Sequence, residues 1–108
     1  MLTRFMMRIL GQQPMNEENR RHRPDDLQLF VKTFCPFCVL VQNRMAALDV
    51  YIPVKNILHD PAHRAELVAG GGQQMVPCLR IESADGEVEW MYESRDIARY
   101  LLNRFRDA

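Results

Sequence analysis

Two thiols stand two residues apart at Cys35-Pro36-Phe37-Cys38, a spacing used both in reversible disulfide chemistry and in metal ligation. A thiol attacks a disulfide as its thiolate, so a reactive cysteine needs surroundings that favour negative charge near neutral pH. The flanking residues supply them. Leu27-Gln28-Leu29-Phe30-Val31-Lys32-Thr33 reads as a mostly buried strand running into the motif, and Cys38, Val41, Met45 and Leu48 share one face of a helix that follows. Cys35 then falls at the helix N-terminus, where free N–H groups and the macrodipole favour an anion. Pro36 suits the first helical position, and Lys32 adds positive charge nearby. Cys38 lies one turn inside, facing the core. This placement assigns attack to Cys35 and resolution to Cys38.

The metal alternative is weaker. Cys35, Cys38, His59 and His63 formally supply two thiolates and two imidazoles, but a complete helix and a strand separate the pairs and Pro61 lies between the histidines. No metal site is expected, and His59 and His63 are expected to be solvated at the start of a second helix. Cys78 begins a buried strand directly after Pro77 and is expected to be a small core residue.

The remaining elements must position this motif. Val50-Tyr51-Ile52-Pro53-Val54 predicts a second strand, placed at an edge because Pro53 cannot donate to a ladder. Asp60 as N-cap with Pro61 at the first helical position opens a helix that the Gly70-Gly71-Gly72 run ends. Cys78-Leu79-Arg80-Ile81 and Val88-Glu89-Trp90-Met91-Tyr92 form a hairpin about the Asp85-Gly86 turn. A last helix is capped by Ser94, with Asp96 in its first turn and Ile97, Tyr100, Leu101 and Phe105 as its buried stripe. The order βαβαββα, with one tight turn and otherwise long connections, predicts an α/β fold: a four-stranded mixed sheet with helices on both faces.

Residues 1–26 read as an N-terminal extension to a domain over residues 27–108. Leu2, Phe5, Met6, Ile9 and Leu10 recur at helical spacing, and Gly11 to Asp26 reads as a polar linker. Arg4 and Arg8 break the opening apolar run, which argues against a secretory or spanning segment. The 108 residues suffice for one core, and a formal charge of zero gives no general pull toward nucleic acid or anionic membranes. Three cysteines cannot build a multi-bridge secreted framework. A cytoplasmic monomer is expected, without a spanning segment.

With Lys32-Thr33-Phe34-Cys35-Pro36-Phe37-Cys38, Met75-Val76-Pro77 and Tyr92-Glu93-Ser94-Arg95-Asp96 taken together, the chain from Leu27 onward resembles a bacterial glutaredoxin. The resemblance implies a thioredoxin-like fold, a cis proline at Pro77 facing the active cysteine, and glutathione as reductant and cosubstrate with disulfide or glutathionylated proteins as partners. It further implies that Lys32 meets the glycine carboxylate of glutathione, that Phe37 lines the groove, and that Val76 pairs its backbone with the peptide. Glu93 and Ser94 would hold the γ-glutamyl group. Met75 replaces the threonine common in that family, and the Glu93-Ser94 pair looks more like the glutathione-binding pair of glutathione transferase N-terminal domains; a full transferase lacks the residues here for its helical second domain. Two alternatives remain: a glutathione-ligated iron–sulfur carrier, which Pro36 disfavours because glycine often follows the first cysteine there, and a thioredoxin-type reductase, which the missing Trp-Cys-Gly-Pro-Cys pattern disfavours.

Overall fold

A computed structural model describes residues 19–106. Within them run β1 (Leu27–Val31), α1 (Pro36–Ala47), β2 (Val54–Asn56), α2 (Pro61–Gly71), β3 (Cys78–Glu82), β4 (Val88–Met91) and α3 (Ser94–Phe105). The sheet order is β2-β1-β3-β4. β1 pairs in parallel with β2, Leu29 opposite Val54, and antiparallel with β3, Phe30 opposite Cys78; β3 and β4 are antiparallel. This is the mixed four-stranded α/β sheet expected from the order of elements.

Strand alternation sorts the interior into two layers. Leu27, Leu29 and Val31 of β1 and Leu79 of β3 meet Cys38, Val41 and Met45 of α1 and Ile97, Leu101 and Phe105 of α3. Phe30 and Cys78 point the other way, onto Leu67 of α2 and Ile57, with Trp90 and Tyr92 at the margin. Each fully buried aliphatic side chain contributes about 1.5–3 kcal/mol over its exposed state, so both layers hold the helices onto the sheet. α2 lies close to β4 because it carries no side chain at Gly70 and Gly71: a Cβ on the first would collide with the Trp90 ring and one on the second with the Tyr92 hydroxyl. Gly72 then ends the helix in the left-handed conformation (φ 87°) with its N–H donated to the Val68 carbonyl.

Two expectations, the bounds of the second strand and the cap of the last helix, need correction. The second strand covers only Val54–Asn56. Val50 and Ile52 are fully buried, but Val50 bridges to His22, and the Pro53 carbonyl accepts from the Leu29 N–H; the apolar pattern there reports burial, not ladder pairing. Ser94 does not cap α3. Glu93 is the N-cap residue, makes no side-chain cap hydrogen bond, and leaves Ser94 as the first helical residue. The part of the polar linker that is described is tied to the domain. His22 exchanges backbone hydrogen bonds with Asp49 and Tyr51, Arg20 donates to the Val50 carbonyl at 2.9 Å, and Asp26 holds Arg104 through two 2.9 Å bonds. The helical spacing noted over Leu2 to Leu10 lies outside the described residues.

Candidate active site

Cys35 is the N-cap of α1, in extended backbone, with Pro36 at the first helical position. Its Sγ accepts the Cys38 N–H at 3.2 Å, taking the place usually filled by a serine or aspartate oxygen. A charge on this sulfur would therefore sit on a free amide at the positive end of a helix dipole. Cys35 is half-buried and Cys38 is buried, 1% exposed. The Cys38 thiol is pushed up to about 12, first by burial and then by the adjoining Cys35 sulfur, while the Lys32 backbone N–H and charge pull the other way. The two thiols of the motif are thus unequal: one reachable and cradled by a donor, the other held protonated in the core.

Thr33, two residues before Cys35, is tied to the end of β2 and the loop after it. The Thr33 hydroxyl accepts from the Asn56 amide at 3.0 Å and meets the His59 ring nitrogen at 3.2 Å. The Asn56 Oδ1 accepts the Leu58 and His59 N–H groups. Between Thr33 and Cys35, Phe34 takes φ 65°, a conformation that costs an L-residue with a Cβ about 1–2 kcal/mol, and leaves its ring 95% exposed. A large apolar side chain in strained backbone directly before Cys35 is the kind of outlier that accompanies functional sites.

Beside the motif lies a groove of about 590 Å³, lined by Phe37, Met75, Val76, Pro77 and the stretch 92–96. Five residues expected around the peptide of glutathione, Phe37, Val76, Pro77, Glu93 and Ser94, therefore line one groove. Lys32 is not among its lining residues; it is exposed, and its charge acts on the Cys38 thiol. The Val76–Pro77 bond is cis, as the resemblance implied. The sequence reading did not single out Met75, Tyr92, Arg95 or Asp96 as site residues, although all four stand in the motifs that carried the resemblance. Tyr92 matters for the groove wall: its hydroxyl donates to the Gln73 carbonyl at 3.1 Å and accepts the Gln73 N–H at 3.3 Å, tying the segment that leads to Val76 onto β4.

The histidines of the zinc alternative are engaged elsewhere, His59 with Thr33 and His63 with Asp60 at 3.5 Å. Among the described residues no group of three or more His, Cys, Asp or Glu could hold a metal ion, and no helix is long and apolar enough to cross a membrane. Cys78 is fully buried against the Tyr92 hydroxyl, and burial pushes its thiol up to about 12.

Residues 27–87, more than half of the chain, match the family model described as Glutaredoxin. No curated protein matches. Among solved structures, a mutant of the thioredoxin-like protein BC3987 is similar in fold, with a TM-score of 0.56 and 23% identity over 69% of this chain and 97% of that one. The fold is thioredoxin-like.

Proposed function

The chain belongs to the glutaredoxin family, and from that premise we propose that it is a glutathione-dependent thiol–disulfide oxidoreductase acting on protein disulfides or glutathione mixed disulfides. Membership supports thiol oxidoreduction in general. The observation that carries the finer reading is the Cys35 Sγ, capping α1 and accepting the Cys38 N–H at 3.2 Å, two residues from the Phe37 side of a groove lined by Val76, Pro77, Glu93 and Ser94.

The Cys35 thiolate attacks the glutathione sulfur of a mixed disulfide. The S–S bond breaks, its electron pair leaves on the substrate thiolate, which takes a proton, and Cys35 is left glutathionylated. A second glutathione thiolate then attacks that disulfide, releasing oxidised glutathione and restoring the Cys35 thiolate. On a protein disulfide, Cys38 instead gives up its proton and attacks the Cys35–substrate bond, leaving a Cys35–Cys38 disulfide that two glutathione molecules reduce. Lys32 neutralises the glycine carboxylate, Phe37 lines the groove, the Val76 backbone pairs with the peptide, Pro77 borders it, and Glu93 with Ser94 at the start of α3 holds the γ-glutamyl end. The unit that carries this activity is residues 27–108, and a reducing compartment such as the cytoplasm suits it.

The test is reduction of a mixed disulfide between glutathione and a small thiol, coupled through glutathione reductase to NADPH loss, with wild type and Cys35→Ser. Rapid turnover that the variant loses is the expected result. No turnover by folded wild type, together with efficient recycling by thioredoxin reductase, would replace glutathione dependence with a thioredoxin-type partner.

A further inference from the structure

A second groove, of about 440 Å³, runs between α1 and α3 and shares Phe37, Ser94 and Arg95 with the first. Its chemistry differs. Phe37, Leu40 and Arg44 line it from one stripe of α1, and Arg95, Arg99 and Leu102 from one stripe of α3. No carboxylate stands among its described lining residues, and among the described residues Arg44, Arg95 and Arg99 make no ion pair or side-chain hydrogen bond. By contrast, Arg104 on the same helix is fully engaged by Asp26. The chain's formal charge is zero, so three such guanidinium groups beside exposed apolar side chains are a local concentration of one sign, and the β3–β4 hairpin carries the opposite sign in Asp85, Glu87 and Glu89.

We propose that this second groove docks the polypeptide substrate, and that it selects acidic segments carrying apolar residues next to the cysteine being reduced. The inference rests on the activity proposed above and names its substrate class. If glutathione takes the groove at Val76 and Glu93, the other half of a mixed disulfide leaves Cys35 across Phe37, which lines both grooves. It then meets Leu40 and Leu102 for apolar contact, and Arg44, Arg95 and Arg99 for carboxylates, which a guanidinium binds through two parallel hydrogen bonds. Neutral net charge excludes general attraction to anions; a confined basic stripe beside the nucleophile permits selective attraction.

The test compares two glutathionylated peptides of equal length and equal apolar content, one with Asp and Glu around the cysteine and one with Asn and Gln. Wild type is expected to reduce the acidic peptide about tenfold more efficiently in kcat/KM at low salt. The preference should collapse near 1 M salt, where screening acts over about 3 Å. In Arg44→Gln/Arg99→Gln, KM for the acidic peptide should rise about fivefold with kcat retained, while turnover of the small-thiol mixed disulfide stays as in wild type. Equal handling of the two peptides by wild type, with the small mixed disulfide reduced normally, overturns this inference alone; failure on the small mixed disulfide overturns the glutathione reading as well. A dimer in sedimentation that the double variant dissociates would also overturn it, assigning the stripe to the acidic hairpin of a second copy.

Discussion

Cys35 and Cys78 are the same functional group on one small sheet, one following β1 and the other opening β3. Cys78 faces the α2 layer with Phe30 and Leu67, has no exposure, and its thiol is pushed up to about 12. Cys35 borders the α1/α3 layer, half-buried, with a backbone amide on its sulfur and the start of a helix behind it. Residue type does not separate them. A strand that stops and a helix that starts within five residues, from Val31 to Pro36, give one sulfur an amide partner and access, whereas continuous strand gives the other neither.

The largest effect that sharpens this contrast is on turnover. Cys35→Ser should lower mixed-disulfide reduction by at least about 10³-fold, while Cys78→Ser, measured in the same coupled assay, should stay within about twofold per folded molecule. A comparable loss in both would erase the distinction. Next is stability: Leu67→Ala empties the centre of the α2 layer and should cost about 2–4 kcal/mol in urea unfolding. Turnover per folded molecule should be unchanged, because the thiol motif stands on the other layer.

Alkaline titration ranks third. Folding raises the Cys38 and Cys78 thiols from 9.0 to about 12, so above pH 9 the unfolded chain releases protons that the folded chain retains. Their stabilising contribution is whole below pH 9 and is lost as pH climbs toward 12, at about 1.4 kcal/mol per pH unit for each thiol. Unfolding between pH 8 and 10 should show this decline, and Cys78→Ala should flatten it by roughly half. The smallest effect concerns Phe34. Glycine adopts φ 65° without steric strain but loses more backbone entropy on folding, so Phe34→Gly should gain at most about 1 kcal/mol in thermal or urea unfolding; destabilisation would mean that the Phe34 ring contributes contacts its exposure does not suggest.

The thiol motif and the element order were legible because they depend on neighbours in sequence. Asp60 and Pro61 open α2, the glycines close it, and the apolar run before Cys35 is a buried strand. What was not legible depends on tertiary partners. Val50 and Ile52 carry a strand's composition, yet the sheet pairs Val54 to Asn56 instead, and His22, in a polar stretch, bridges to Val50. Phe34 has no sequence mark of left-handed backbone, since glycine or asparagine would be the usual sign. The arginine stripe stayed hidden for a related reason: Arg44 and Arg99 lie far apart in the chain, and only the packing of α1 on α3 brings them to one groove.

The proposed glutathione-linked chemistry rests on the placement of Cys35 at the start of α1, and not on thiol content. The direct measurement is to treat reduced Cys38→Ser protein with oxidised glutathione at neutral pH and locate the adduct by peptide mass. Glutathione on Cys35 alone, removed again by excess reduced glutathione, is the predicted result. Adduct on Cys78, or none on Cys35 in folded protein, would contradict the account.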